Sequence, residues 1–131
     1  MTLFASGLCR SLLPSRLTFA STLALSLAGL ALAGLAFTTD PTLRSTPATW
    51  HGRLHDLSFV LLGLTFMPAM LLLGFAFRAD PRWRGLSAYT WLTVALTGPT
   101  FALKGAAFYV FLLAVLVWSE VAAIRLHRKI R

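Results

Sequence analysis

Four long apolar stretches dominate this sequence and leave few folds open to it. They cover residues 17–37, 57–77, 86–103 and 106–124, with lengths of 21, 21, 18 and 19 residues, and Glu120 is the only charged residue in them. About 20 apolar residues in an α-helix cross the ~30 Å hydrocarbon core of a bilayer. Because backbone polar groups find no partners in lipid, helices are the expected form. The sequence therefore predicts an all-α integral membrane bundle of four transmembrane helices, connected up-down-up-down.

The composition supports a membrane class and excludes others. Hydrophobic residues make up 57% of the chain and charged residues only 12%, whereas soluble domains are about 25% charged. The net charge of +8 comes from basic residues at the ends of the apolar stretches. It therefore favours a lipid bilayer as the partner and argues against nucleic acid. The single cysteine excludes an internal disulfide.

The basic residues also predict an orientation. With four spans, both termini and the middle connection share one side, which would carry nine basic residues against three on the other. The nine are Arg10, Arg16, Arg78, Arg82, Arg84, Arg125, Arg128, Lys129 and Arg131, and the three are Arg44, Arg53 and Lys104. The side richer in Lys and Arg is normally cytoplasmic. We therefore expect a cytoplasmic segment at 1–16, a transmembrane domain at 17–124 and a basic cytoplasmic tail at 125–131. An alternative for the first stretch is a cleavable signal peptide.

The passage between the first two stretches holds a candidate metal site. Thr46 and Pro47 predict a helix start, with Thr46 as N-cap and Pro47 in the first helical position. His51 and His55 are then one turn apart on one face, a spacing that can bind a divalent metal such as zinc. Such a site would need a third ligand, either Asp40 from the preceding loop or a residue from another chain. Otherwise the histidines form hydrogen bonds with neighbouring helix ends or lie among lipid headgroups, and no cofactor is required.

The third apolar stretch carries hydroxyl groups that support two interpretations. Hydroxyls in membrane helices usually face other helices. The alternative is a polar ligand-binding pocket that opens outward, where the third helix ends and the second begins. Its candidate residues are Asp40, His51, His55, Ser58, Thr97, Thr100 and Lys104.

Glu120 is a further candidate because acids inside membrane helices are often functional. It lies five residues before Arg125, near the cytoplasmic end of the last stretch. Pairing with Arg125 or with the loop that holds Arg82 and Arg84 is therefore the expected role.

Two motifs resemble a known family. The sequence FTTDP at residues 37–41 ends one helix, and TWHGRLH at residues 49–55 opens the next. This pair, with DPRWRGLSAYTW at residues 80–91, resembles a bacterial family of multi-pass membrane proteins known as domain of unknown function 998. The resemblance implies that Asp40, His51 and His55 are signature positions and that the protein lies in the bacterial inner membrane.

The resemblance also implies about six helices, whereas this chain offers four. Either the first methionine is an internal start, or the chain is truncated, or a partner membrane protein or further copies of the chain supply the rest. The activity of the family is unknown, so the resemblance does not assign a function.

Three functions are compatible with these observations. The first is a non-enzymatic membrane protein that binds a small ligand or lipid, or assists another membrane protein. The second is a membrane-embedded zinc hydrolase that uses His51, His55 and Asp40, with Ser58 nearby. The third is a transporter fragment with its substrate near Thr97 and Lys104.

Overall fold

The computed structural model describes residues 1–40, 49–103 and 106–130. For residues 129 and 130 it describes the backbone only. Within these ranges the protein has five helices and no strands, and it is 85% helical. The helices are α1 (Thr2–Ser11), α2 (Arg16–Gly34), α3 (Trp50–Ala79), α4 (Gly85–Ala102) and α5 (Ala106–Ile130). The predicted all-α class is therefore confirmed.

Side-chain caps begin two of the long helices. The Ser15 hydroxyl accepts a hydrogen bond from the backbone N–H of Thr18 at the start of α2. The Thr49 hydroxyl accepts one from the N–H of Gly52 at the start of α3. Each cap satisfies an N–H that the helix itself leaves without a partner. The start predicted at Thr46 and Pro47 lies outside the described residues.

Three helices in the described part, rather than the predicted four, are long and apolar enough to cross a membrane. They are α2, α3 and α5. Helix α4 is the exception: its 18 residues include a serine and four threonines that lower its hydropathy. The hydroxyls of the four threonines all donate to backbone carbonyls one turn earlier in α4.

The five helices form a closed ring. Each helix packs against the next one in sequence, and α1 completes the ring by packing against α5. Aromatic side chains fill the space between α3, α4 and α5, where Phe101 stacks on Phe59 and meets Phe111 edge-on. Nearer the start of α4, the indole of Trp118 donates to the buried Thr90 hydroxyl over 3.0 Å. This bond joins α5 to α4 inside the bundle.

Helix α1 lies within residues 1–16, the segment expected to be cytoplasmic, and packs along the bundle. Its side chains Ala5 and Leu8 are fully buried, and Met1 lies against Gly29, well along α2. The N-terminal residues therefore run back alongside α2 instead of extending beyond its end. The apolar residues of α1 are too few to span a membrane alone, which is why the sequence pattern did not reveal them.

Candidate functional site

The junction between α2 and α3 is the first candidate site, because it contains the residues of the two motifs. Asp40 precedes α3 and accepts two hydrogen bonds from Thr49, one from its hydroxyl at 2.7 Å and one from its backbone N–H at 2.9 Å. Thr49 in turn caps α3 through the N–H of Gly52. Both carboxylate oxygens of Asp40 are thus used to hold the chain in position at the start of α3.

His55 on α3 also connects the two helices at this junction. Its ring Nδ1 lies 2.8 Å from the backbone carbonyl oxygen of Phe37, just beyond the end of α2. A carbonyl oxygen only accepts, so the Nδ1–H group of His55 donates this hydrogen bond. The expectation that the histidines bond a neighbouring helix end is confirmed for His55.

Two glycines allow this junction to close. A Cβ added at Gly52 would run into the carboxylate of Asp40, and one added at Gly34 would run into the hydroxyl of Ser58. The Ser58 side chain is buried, and its contact with Gly34 shows that it faces α2. Ser58 was predicted to line a pocket toward the third apolar helix, and the structure does not place it there.

His51 takes a different environment from His55. Its ring packs on the indole of Trp50 with centroids 3.8 Å apart, and that indole meets the ring of Phe37 edge-on. These aromatic groups form the outer surface of the junction, where Trp50 is 64% exposed. An exposed tryptophan at a helix end is typical of the membrane–water interface.

The predicted zinc ligands are not gathered into one site. No group of three or more His, Cys, Asp or Glu side chains that could hold a metal ion occurs in the ranges the structure describes. Asp40 faces Thr49, His55 bonds Phe37 and His51 packs on Trp50. The spacing of the histidines along α3 was read correctly, but the direction of the Asp40 carboxylate could not be read from spacing.

The predicted polar pocket between α3 and α4 is not formed by the described residues. Thr97 is fully buried, and its hydroxyl donates to the carbonyl of Thr93 and approaches the sulfur of Met67 at 3.9 Å. The Thr100 hydroxyl donates to the carbonyl of Leu96. Lys104 lies outside the described residues. The threonine hydroxyls of α4 therefore donate to carbonyls of their own helix instead of converging with His51 and His55.

Glu120 does not form its predicted pair within the described residues. It is exposed on α5, and Arg125 instead donates to the backbone carbonyl of Arg82 over 3.0 Å. Residues five apart lie about 140° apart around a helix, so Glu120 and Arg125 point in different directions.

Asp80 is an acid that was not among the predicted site residues. It is 1% exposed and accepts hydrogen bonds from the side chain of Arg82 and from the backbone N–H of Leu13. Arg82 also donates to the carbonyl of Ser11. Together with Arg125, these bonds place the end of α1, the α3–α4 connection and the last turns of α5 at one end of the bundle. The Asp80-Pro81 turn was the available signal.

That end of the bundle is strongly basic, and we call it the basic end. The Arg82 side chain holds the pKa of the Asp80 carboxyl below its usual value of 3.8, against the opposing effect of burial. The described basic residues there are Arg10, Arg16, Arg78, Arg82, Arg84, Arg125 and Arg128. At the opposite end, which holds the α2–α3 junction, Arg53 is the described basic residue.

An apolar cleft between α3 and α4 is the second candidate site. Its volume is about 420 Å³, and we call it the α3–α4 cleft. It is lined by Phe59, Val60, Gly63, Leu64, Met67, Gly98 and Phe101. Gly63 lets the ring of Phe101 lie against α3, since a Cβ there would meet that ring at 2.6 Å. Gly63 and Gly98 inside apolar helices were the sequence signal for this cleft.

Comparisons with known proteins add no function to this geometry. No protein-family model matches the chain, and neither a curated protein nor a solved structure matches it. The resemblance to domain of unknown function 998 therefore stays a prediction from the two motifs.

Proposed function

We propose that this chain is a non-enzymatic integral membrane protein that binds a lipid, with an acyl tail in the α3–α4 cleft. The observation that carries the proposal is that every side chain lining that cleft is apolar. The cleft also lies at the surface of the bundle, where Val60 is 54% and Leu64 is 68% exposed. In a bilayer such a surface faces lipid, so an acyl tail is the occupant with matching chemistry.

The proposal includes four spans, with α4 as the fourth. The four threonine hydroxyls of α4 donate to carbonyls of the same helix, which reduces the cost of placing them in lipid. Ser87 donates to the carbonyl of Gly74 on α3. Because α4 has these internal partners, it is compatible with the hydrocarbon region despite its lower hydropathy.

The proposed location is the bacterial inner membrane, with the basic end in the cytoplasm. The excess of arginine at that end supports this orientation through the positive-inside rule. The resemblance of the FTTDP and TWHGRLH motifs supports the bacterial assignment. The α2–α3 junction then lies on the outer side of the membrane.

Binding is favoured over catalysis because the polar groups of the junction already have structural partners. Asp40 is bound to Thr49, and the Nδ1 atom of His55 is bound to Phe37. A hydrolase would need these groups to converge on one reacting atom. The cleft itself is lined by apolar side chains and two glycines.

Lipid retention tests the proposal. Val60→Trp places a large ring in the cleft, whereas Val117→Trp places the same ring on α5, where Val117 is 49% exposed and does not line the cleft. Native mass spectrometry of protein extracted in mild detergent should show bound phospholipid on wild type and on Val117→Trp, and none on Val60→Trp. Equal retention by the two variants, or a wild type without lipid, would contradict the proposal.

A further inference from the structure

Two charged residues lie on the same face of α3 as the cleft, one or two turns nearer its outer end. At about 100° per residue, Asp56 is within about 40° of both Val60 and Gly63, and Arg53 is about 20° from Val60. Asp56 precedes Gly63 by about 10 Å along the helix axis. The α3–α4 cleft therefore has a cation and an anion above its outer end.

Both groups are available to a ligand. Arg53 and Asp56 are exposed, and within the described ranges neither side chain has a hydrogen bond or an ion pair. Residues three apart on a helix have Cβ atoms about 5–6 Å apart, close enough for both to contact one small headgroup. They do not pair with each other, so each retains its full capacity to bind a group of opposite charge.

Their depth matches the level of lipid headgroups. Helix α3 has 30 residues and is about 45 Å long, which exceeds the ~30 Å hydrocarbon core. Its charge-free part is residues 57–77, so Arg53 and Asp56 lie just outside that part on the outer side. Trp50, one turn further out, is the exposed aromatic residue expected at the interface.

We propose that Arg53 and Asp56 select the headgroup of the lipid whose tail occupies the cleft, and that this lipid is a zwitterionic phospholipid with a primary ammonium group. The inference rests on the proposed lipid-binding function. A guanidinium binds phosphate oxygens with two parallel hydrogen bonds, so Arg53 holds the phosphate. The Asp56 carboxylate accepts hydrogen bonds from the ammonium group at the end of the headgroup.

This arrangement discriminates among headgroups. A trimethylammonium group has no N–H to donate, so it gives Asp56 a charge contact without a hydrogen bond. A headgroup with phosphate and no cation leaves Asp56 beside a like charge. The expected order of binding is therefore primary ammonium first, trimethylammonium second and anionic lipid last.

The test is a competition among three lipids with the same acyl chains. Wild-type protein in mixed micelles receives equal amounts of phosphatidylethanolamine, phosphatidylcholine and phosphatidylglycerol, and native mass spectrometry counts each bound lipid. We expect phosphatidylethanolamine to exceed phosphatidylglycerol by about tenfold, the scale of one charge-assisted hydrogen bond. Asp56→Asn should remove that preference, and Arg53→Gln should lower the binding of all three.

Matched variants control for charge alone. Glu120→Gln and Arg128→Gln remove an exposed acid and an exposed base on α5, near the basic end, and should leave the lipid counts unchanged. The conservative Asp56→Glu should retain part of the headgroup preference, and Arg53→Lys should retain part of the lipid binding. Circular dichroism verifies that every variant keeps its helices.

The outcomes separate this inference from the proposed function. A wild type without headgroup preference, or variants Asp56→Asn and Arg53→Gln that bind like wild type, would overturn the assignment of Arg53 and Asp56. If Val60→Trp still abolished binding in that case, the cleft would remain the lipid site. If wild type bound none of the three lipids, the proposed function would fail as well.

Discussion

The imidazole of His55 donates to the backbone carbonyl of Phe37 across 2.8 Å and so ties the end of α2 to the first turns of α3. Asp40 and Thr49 close the same junction from the α3 side. Asp40, Thr49 and His55 thus hold the two helices in position. This leaves the α3–α4 cleft as the surface on which the proposed ligand binds.

Replacing His55 should weaken the junction. In His55→Ala the carbonyl of Phe37 loses its partner, and we expect the free energy of unfolding in micelles to fall by about 1 kcal/mol. His51→Ala removes a ring that packs on Trp50 without a described hydrogen bond, so its effect should be smaller. Equilibrium unfolding by a denaturing detergent measures both. A larger loss for His51→Ala than for His55→Ala would contradict this role of His55.

Gly52 should be intolerant of a side chain because its Cα faces the Asp40 carboxylate. Alanine normally stabilises a helix interior by about 1 kcal/mol relative to glycine, yet Gly52→Ala should destabilise this protein. Gly85→Ala is the control, since a Cβ there meets nothing within 4 Å. The loss in free energy of unfolding caused by Gly52→Ala, measured in the same assay, should be smaller when Asp40→Ala is also present. An equal loss with and without Asp40→Ala would show that the clash lies elsewhere.

The buried bond between Trp118 and Thr90 should contribute to the packing of α4 on α5. Thr90→Val keeps the shape of the side chain but removes the hydroxyl that accepts the bond. The buried indole N–H of Trp118 is then unsatisfied, and the free energy of unfolding should fall by about 1–3 kcal/mol. Thr100→Val is the matched change at a threonine whose hydroxyl bonds only its own helix, and it should cost less. Thermal unfolding followed by tryptophan fluorescence compares the two. Equal losses would argue against the Trp118–Thr90 bond as a stabilising contact.

Asp80 predicts a dependence of stability on pH. Hydrogen bonds from Arg82 lower its pKa in the folded state below 3.8, so its stabilising effect is present above that pH and is lost as the pH falls through the folded value. Asp80→Asn should therefore have a lower free energy of unfolding than wild type at neutral pH. The difference in free energy between the two proteins should become smaller only below about pH 4. Unfolding measured from pH 7 to pH 2 checks this. A difference that narrows near pH 6 would assign the effect to another group.

The sequence predicted the long helices because their cause is local. A continuous apolar stretch in lipid needs a backbone whose hydrogen bonds are all internal, which a helix provides. The predicted stretches match α2 to α5 within a few residues, except that α3 begins earlier and α5 ends later than predicted. Helix α1 was missed because it is too short for that pattern and is stabilised by packing against α2 and α5. The hydropathy of α4 was overestimated because a stretch without charges is not uniformly apolar.

The candidate site was less predictable because it depends on the path of the backbone. The spacing of His51 and His55 gave their positions on α3, but only the fold brings the Phe37 carbonyl to His55. Likewise, Gly63 and Gly98 mark the α3–α4 cleft in the sequence, but only the fold brings the ring of Phe101 against Gly63.

Membrane topology tests the central claim most directly, since the cleft and its headgroup residues act on lipid only if the bundle crosses the bilayer. Cys9 is the single native cysteine, so Cys9→Ser gives a cysteine-free background for Thr39→Cys beside the α2–α3 junction and Pro81→Cys at the basic end. In intact bacterial cells expressing the protein, a membrane-impermeant maleimide should label Thr39→Cys at once and Pro81→Cys only after permeabilisation. Labelling of Pro81→Cys alone, or of neither or both positions in intact cells, would contradict the account.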